Sequence, residues 1–387
     1  MWRHLASNTI TFLIVGLAGA AGVIAWGVNE YSGEGPLETA ICLQVEPGTN
    51  FRAVSQRLAE KGAIGSDSIF RIGAEYADKT SQLKAGSHLI PERASMERIV
   101  DIVTRGGAST CGTEILYRIG VNAVAAEVRE LDPATSDYVE LVEFDPTAEA
   151  VELPGEYTEM RERADTRYRI AVAEGVTSWQ VTQALNALDT LDGDVEEIPA
   201  EGSLAPDSYE ITPGTQVAQV LERMEAAQSA ILAEAWENRA GDLPLDTPEE
   251  ALILASIVEK ETGVAAERPQ VASVFVNRLR QGMPLQTDPT VIYGITEGKG
   301  VLGRGLRRSE LDRETPWNTY VINGLPPTPI ANPGRAAIEA ALNPASTDYI
   351  FFVADGTGGH AFAQTLAEHN RNVAKWREIE AERAAGN

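Results

Sequence analysis

Hydrophobic and polar residues follow helical or strand spacings along most of the chain, and this pattern predicts an α+β fold. The N-terminus departs from it, because residues 5–29 form a largely apolar stretch without a charged side chain. A helix needs about 20 apolar residues to cross a bilayer. We therefore predict a single transmembrane helix over residues 9–28, preceded by a short cytoplasmic N-terminus of residues 1–8.

Short strands and amphipathic helices after this stretch predict a small α/β subdomain over residues 41–110. Ser66 and Ser95 each precede a segment with helical periodicity, which is the position of a helix N-cap. Residues 111–167 are acidic and less regularly patterned, so they are interpreted as an insertion or extended linker with some strand. Residues 168–380 return to clear periodicity and predict a larger mixed α/β domain.

The segment "LILASIVEKETG", residues 252–263, is an apolar run that ends in two glutamates. Four of its apolar side chains share one face of a helix that advances about 100° per residue: Ile253, Leu254, Ile257 and Val258. Glu261 falls within that face, whereas Glu259 points away from most of it. Glu259 is therefore expected at the protein surface.

A carboxyl group on an apolar helix face is desolvated, and desolvation raises its pKa toward the range of a general acid. This makes Glu261 the candidate catalytic residue. The alternative is a helix that ends at Lys260, which would leave Glu261 in an exposed turn.

The charge of the chain restricts its function. The formal net charge is −25, and such an acidic excess argues against binding to nucleic acid or to anionic lipid headgroups. Arg3 precedes the apolar stretch, whereas Glu30 and Glu34 follow it. The positive-inside rule then predicts that everything after the helix lies outside the cytoplasm. A cleaved signal peptide is the alternative.

The two cysteines, Cys42 and Cys111, both fall in the part predicted to lie outside the cytoplasm, where disulfides persist. They could form one bridge, and two unpaired thiols are the alternative. Two cysteines and four scattered histidines match no metal-ligand spacing. We therefore predict no metal site and no cofactor.

Three segments identify a family: "ASIVEKETGVAAERPQVASVFVNRLRQGMPLQTDPTVIYG", "WNTYVINGLPPTPIANPG" and "YIFFVADGTGGHAFAQTLAEHN". They closely resemble the endolytic murein transglycosylase (YceG-like) family, and the resemblance extends from about Tyr168 to His369. It implies that residues 168–380 are a YceG-like catalytic domain and that residues 41–110 are a LysM-like subdomain. The segment 112–167 looks long for the family.

The resemblance implies a lytic transglycosylase, a lyase that cuts the MurNAc–GlcNAc β-1,4 bond within nascent peptidoglycan strands. The MurNAc C6 hydroxyl attacks its own C1, which leaves a 1,6-anhydroMurNAc end and terminates the strand. One carboxyl group is enough for this reaction, whereas ordinary glycosidases use two. The catalytic glutamate of lytic transglycosylases is followed by Ser or Thr, and Glu261-Thr262 fits that pattern.

The resemblance also implies substrate-binding residues, whose side chains suit sugar hydroxyl and N-acetyl groups. These are Asn277, Gln286, Asp288, Tyr293, Asn318 and Tyr320. A local structural role is the alternative for each of them. Glu267 and Glu259 could each support the site from behind the substrate-binding residues or lie at the surface, and the surface is the expectation for both.

The family is associated with peptidoglycan synthases at the inner membrane. The resemblance therefore implies peptidoglycan glycan strands as substrate and penicillin-binding proteins as partners. It further implies a single-pass protein of the cell inner membrane with a periplasmic, extracytoplasmic catalytic domain. Two other functions stay open. One is a water-using muramidase with Asp288 as second carboxylate, and the other is a non-catalytic, membrane-tethered glycan-binding module of a cell-wall synthesis complex.

Overall fold

The computed structural model describes residues 2–105, 110–148, 152–163 and 165–386. The chain divides into two compact units. The first comprises Met1–Leu116, Glu127–Glu143 and Glu152–Tyr168, and the second comprises Tyr117–Ala126, Phe144–Val151 and Arg169–Asn387. The small subdomain was predicted to end at residue 110. Residues 106–109, just before that boundary, lie outside the described residues.

Helices and strands both occur in quantity, as predicted for an α+β chain. The helices are α1 (Trp2–Ser32), α2 (Phe51–Glu60), α3 (Asp67–Tyr76), α4 (Met96–Thr104), α5 (Gly155–Arg161), α6 (Ser178–Asn186), α7 (Val217–Glu237), α8 (Pro248–Glu261), α9 (Arg268–Arg280), α10 (Asp288–Thr296), α11 (Arg308–Leu311), α12 (Arg335–Leu342) and α13 (Leu366–Gly386). The strands are β1 (Ile41–Val45), β2 (Gly86–Ile90), β3 (Thr113–Ile119), β4 (Val124–Leu131), β5 (Tyr138–Phe144), β6 (Arg167–Val172), β7 (Leu191–Asp192), β8 (Ser208–Ile211), β9 (Thr215–Gln216), β10 (Phe351–Ala354) and β11 (His360–Ala363). Short 3-10 turns lie at Thr80–Gln82 and Ala265–Glu267.

Helix α1 contains the apolar stretch that the sequence predicts to be helical. Its segment Thr11–Ser32 has 22 residues and a mean hydropathy of 2.0, and its apolar side chains are not buried against the described protein. At a rise of about 1.5 Å per residue the segment is about 33 Å long, which matches the roughly 30 Å hydrocarbon core of a bilayer. Length and composition thus suffice for a membrane span, and a signal sequence near an N-terminus has the same properties.

The first unit contains the antiparallel pair β1–β2, in which Ile41 lies opposite Ile90 and Val45 opposite Gly86. Residues of this pair and of helices α2, α3 and α4 contribute to one buried apolar cluster. The three helices begin at side-chain N-caps, namely Asn50, Ser66 and Ser95. The caps predicted at Ser66 and Ser95 are thus present, whereas the LysM-like character of this subdomain stays a prediction.

A disulfide joins Cys42 of β1 to Cys111, which immediately precedes β3. The two residues are 69 positions apart in sequence. Cys111 is fully buried.

The acidic segment after Cys111 is more ordered than a linker. It forms β3, β4 and β5, which belong to a sheet with the strand order β5-β4-β3-β6-β8. Its acidic composition suggested exposure to solvent, but Glu114 on β3 is buried and ion-paired. Arg129 Nε donates to Glu114 Oε2 at 2.8 Å, and an Arg167 nitrogen lies 3.5 Å from Oε1.

The core of the second unit surrounds α8, which packs against α7, α9 and α12. The helix begins at the N-cap Thr247, with Pro248 in its first turn. Ala251 and every residue from 253 to 258 are buried. Helix α8 is therefore enclosed on nearly all sides, and the prediction of a single apolar face was too narrow.

The hairpin β10–β11 supplies a further part of the second unit. Its strands are antiparallel, with Ala354 paired to His360. Phe352 of β10 lies edge-to-face against Phe275 of α9, with ring centroids 5.8 Å apart. The hairpin thus holds His360 beside the helical core.

Candidate active site

Helix α8 continues through Glu261, which is its last residue. Thr262 then leaves the helix with φ −136° and ψ 126°. The alternative in which the helix ends at Lys260 is therefore wrong. The side chain of Glu261 is partly exposed, and it accepts a hydrogen bond from Thr287 Oγ1. A carboxyl group at this helix end is thus both held by the protein and open to a ligand.

The pKa of Glu261 is raised, chiefly because burial desolvates its carboxyl group, with a further contribution from the negative charge of Asp288. The hydrogen bond from Thr287 and the positive charges of His360 and Arg278 act in the opposite direction. On balance the protonated form persists above the usual pH range of a glutamate. That is the requirement for a general acid.

Buried hydroxyl groups fix Thr287 opposite Glu261. The Thr287 N–H donates to Thr319 Oγ1 at 3.1 Å, and Thr290 Oγ1 donates to the Thr287 carbonyl at 2.8 Å. The hydroxyl oxygens of Thr290 and Thr319 are themselves 2.8 Å apart. All three threonines are buried, so the donor to Glu261 has a defined position.

Three of the predicted substrate-binding residues lie around this carboxyl group. Asp288 is the first residue of α10, and the Tyr320 hydroxyl donates to its Oδ1 at 2.7 Å. Burial and the neighbouring Asp288 raise the pKa of Tyr320, so its hydroxyl stays protonated. Gln286 has a left-handed backbone with φ 51°, and its Oε1 accepts from Arg278 Nη1 at 3.3 Å.

The side chains of the other three predicted binding residues form hydrogen bonds to other groups of the protein. The Asn277 amide donates to two backbone carbonyls before β10, at 2.8 and 2.9 Å. Asn318 is fully buried, and its amide donates to three carbonyls in and just after α11. The Tyr293 hydroxyl donates to Glu201 at 3.1 Å. These contacts favour the local structural role for the donor groups, and substrate binding by these residues stays a prediction.

The expectation that Glu259 lies at the surface was wrong. Its side chain is only 5% exposed. It accepts from the Gly334 N–H at 2.9 Å and from Arg268 Nη2 at 3.4 Å, and burial is the main cause of its raised pKa. Gly334 is the N-cap of α12, so Glu259 ties the end of α8 to the start of α12.

The expectation of a surface position was also wrong for Glu267. Its Oε2 lies 2.7 Å from His360 Nδ1, and its Oε1 accepts the His360 backbone N–H at 3.0 Å. The side chains of Glu267 and His360 are only 18% and 16% exposed. The pair therefore belongs to the interior of the site.

Arg278 is a site residue that the sequence interpretation missed. It is buried, and its guanidinium donates to the carbonyls of Ile350 at 2.7 Å and Leu285 at 2.8 Å. A basic residue in the last turn of a helix usually meets the helix dipole in solvent, so its position gave no signal. Its lowered pKa has burial as the largest cause.

The described residues contain no group of three or more His, Cys, Asp or Glu side chains that could hold a metal ion. The site combines the partly exposed carboxyl group of Glu261, the exposed carboxyl group of Asp288, the hydroxyl groups of Thr287 and Tyr320, and the side chains of Arg278 and His360. Such a set can give a proton to a leaving group and take one back.

Known proteins resemble this chain over most of its length. A family model described as the YceG-like family matches residues 43–375. An endolytic murein transglycosylase of Bacillus subtilis (strain 168) is 28% identical over 347 residues, which are 88% of this chain and 85% of the relative. An endolytic murein transglycosylase of Streptococcus pneumoniae (strain D39) is 28% identical over 352 residues, 87% of this chain and 58% of the relative. A crystal structure of a YceG-like protein from Listeria monocytogenes aligns with a TM-score of 0.46 and 24% identity, and covers 86% of this chain and 98% of that one.

Proposed function

We propose, from the premise that this chain belongs to the YceG-like family, that it is an endolytic lytic transglycosylase. It cleaves the MurNAc–GlcNAc β-1,4 bond within peptidoglycan strands and leaves 1,6-anhydroMurNAc ends. The observation that carries the proposal is the partly exposed carboxyl group of Glu261, whose pKa is raised chiefly by burial. The curated relatives with 28% identity are endolytic murein transglycosylases.

In the first step Glu261 donates its proton to the glycosidic oxygen. The bond between that oxygen and C1 of MurNAc breaks, and the electron pair leaves with the GlcNAc hydroxyl. The raised pKa supports this role, because an acid must still hold its proton at the working pH. At the end of this step Glu261 is a carboxylate, and the MurNAc ring carries the matching positive charge as an oxocarbenium ion.

In the second step the same carboxylate takes the proton of the MurNAc C6 hydroxyl. The C6 oxygen bonds to C1, which closes the anhydro ring without adding water. Glu261 is then protonated again and ready for another cycle. The overall reaction needs no second carboxylate, in contrast to hydrolysis by ordinary glycosidases.

Thr287 and Arg278 both favour the ionised form of Glu261 in this scheme. The Thr287 hydroxyl orients the carboxyl group, and the charge of Arg278 favours its ionised form after proton donation. Tyr320 is held by Asp288 and is proposed, with Gln286, to contact polar groups of the sugar.

A muramidase would use Asp288 to activate a water molecule. Tyr320 already donates to one oxygen of Asp288, which favours a positioning role for this carboxylate. A non-catalytic glycan-binding module would have no use for a desolvated acid at the end of α8. The transglycosylase therefore accounts for more of the site than either alternative.

We further propose that α1 anchors the protein in the cell inner membrane, with the N-terminus in the cytoplasm and both units outside. The length and hydropathy of Thr11–Ser32 support a span, and Arg3 supports the orientation. An anchor would keep the enzyme near strands that are still being made, so synthases such as penicillin-binding proteins are the proposed partners. Extraction of membranes at alkaline pH tests the anchor, since a cleaved and released protein would appear in the soluble fraction.

Incubation of the full-length protein with uncrosslinked glycan strands tests the activity. We expect the average strand length to fall from early time points, because cleavage within a strand shortens it faster than removal of end units. Strands that keep their length in the presence of folded protein would contradict the proposal and favour the binding module.

A further inference from the structure

The Glu267–His360 pair has the form of a carboxylate that orients an imidazole ring. One oxygen of Glu267 meets ring Nδ1 at 2.7 Å, and the other accepts the backbone N–H of the same histidine at 3.0 Å. Two simultaneous contacts from one carboxylate fix both the ring and the backbone of His360. In the described part of the chain, Nε2 of this ring has no hydrogen-bond partner, so it is available to bond another group.

Neighbouring residues restrict the Glu267–His360 pair and leave room for its hydrogen bonds. Phe352 meets the His360 ring edge-to-face with centroids 5.2 Å apart, which restricts the ring from the side. A Cβ atom on Gly359 would come within 2.5 Å of Glu267 Oε1. A glycine at this position therefore leaves the room that the carboxylate needs to reach the His360 backbone.

The pair is connected to the proposed general acid in two ways. Glu267 lies in the short 3-10 turn six residues after Glu261, in the connection between α8 and α9. Within that connection Thr262 Oγ1 accepts the Val264 N–H at 3.0 Å, which stiffens the path between them. In addition, His360 in its charged form lowers the pKa of the Glu261 carboxyl group.

We propose that His360, held by Glu267, is a positioning residue for Glu261: its positive charge stabilises the carboxylate that Glu261 becomes after protonating the glycosidic oxygen. This inference rests on the proposed function of Glu261 as the acid. It assigns a role to a histidine whose carboxylate partner is 93 residues away in sequence.

Several charged groups share this part of the second unit and bear on the interaction. Glu267 and Asp355 face His360, and Glu261 also receives the charges of Asp288 and Arg278. The His360 charge lowers the pKa of Glu261 against the larger effect of burial. Its removal should therefore raise the pKa of Glu261 further.

The test is the pH profile of glycan cleavage by His360→Gln, which removes the charge and keeps a polar side chain. A general acid loses activity as pH rises through its pKa. We expect the alkaline limb to move to higher pH by roughly one unit, and the rate at low pH to fall by about tenfold. His360→Lys restores a positive charge and should return the limb toward its wild-type position.

The matched control is His369→Gln on α13, a histidine that stacks on Phe351 with centroids 5.0 Å apart. It should leave the alkaline limb unchanged, and thermal unfolding should show that all variants are folded. His360→Asn replaces the glutamine variant if the latter does not fold.

An alkaline limb that stays in place in folded His360→Gln or His360→Asn would overturn the inference. So would a loss of rate that is equal for His360→Gln and His360→Lys, because a purely structural role predicts it. Failure of the proposed function has a different signature. It would appear as full activity of Glu261→Gln, whatever the behaviour of His360.

Discussion

Thr287 donates a hydrogen bond to the carboxyl group of Glu261, and this contact joins the start of α10 to the last residue of α8. Helix α8 is buried along most of its length, so Glu261 stands on a rigid support. Thr287 is fixed in turn by the hydroxyl cluster with Thr290 and Thr319. The proposed acid is thus positioned from both sides before any substrate binds.

Replacement of Glu261 by glutamine should abolish cleavage with little effect on the fold. The glutamine oxygen can still accept from Thr287, but the side chain has no proton to donate. General acid–base catalysis contributes about 10²–10⁴-fold, so we expect a loss of that size in an assay of glycan shortening. The matched variant Glu259→Gln keeps Glu261 and should retain most activity. Equal losses in the two variants would contradict the assignment.

Removal of the Thr287 hydroxyl should impair Glu261 as a general acid, because that hydroxyl both orients its carboxyl group and lowers its pKa. In Thr287→Val the carboxyl group of Glu261 loses a donor that lowers its pKa, so the alkaline limb of the rate profile should rise in pH. We expect the rate at low pH to fall by roughly tenfold, because the ionised product of proton donation is less stabilised. Thr287→Ser keeps the hydroxyl and should behave like the wild type. A valine variant with an unchanged profile would show that the hydrogen bond has no catalytic role.

The raised pKa of Glu261 also predicts how stability depends on pH. The folded protein binds this proton more tightly than the unfolded chain, so its contribution to stability is present at low pH. It is lost as pH rises from the unfolded pKa of about 4.3 through the raised folded pKa. Glu261→Gln is uncharged throughout and should therefore unfold at a higher temperature than the wild type at pH 8. The difference should shrink at pH 4, as calorimetry at the two pH values can measure. A glutamine variant that is less stable at pH 8 would contradict the desolvation of Glu261.

The disulfide should stabilise the first unit. A bridge between residues 69 positions apart restricts the unfolded chain by about 4 kcal/mol in the chain-entropy model. The variant Cys42→Ser with Cys111→Ser should lower the denaturation midpoint, and reductant should affect only the wild type. Equal midpoints of wild type and variant in oxidising buffer would show that the bridge adds no stability.

Local signals in the sequence predicted local structure well. The caps at Ser66 and Ser95 are made by the residues expected, because a cap involves only residues three positions apart. The apolar N-terminal helix was equally evident. Helix geometry predicted a desolvated carboxyl group at Glu261, and burial does raise its pKa.

Contacts between distant segments were beyond such reasoning. Glu259 is buried because α12 begins against it. A helical wheel of α8 describes that helix alone and cannot predict a contact with another helix. Glu267 and His360 meet across 93 residues of sequence. Segment 111–167 looked like a linker because its acidic residues suggest solvent, whereas Glu114 is buried in an ion pair.

The central claim is that Glu261 drives an intramolecular ring closure rather than hydrolysis. Mass spectrometry of strands digested by the full-length protein in water labelled with heavy oxygen tests it most directly. We expect new MurNAc ends that are lighter than reducing ends by one water and that carry no label. A rise in the number of reducing ends, with no new anhydro ends, would contradict the account and establish a muramidase.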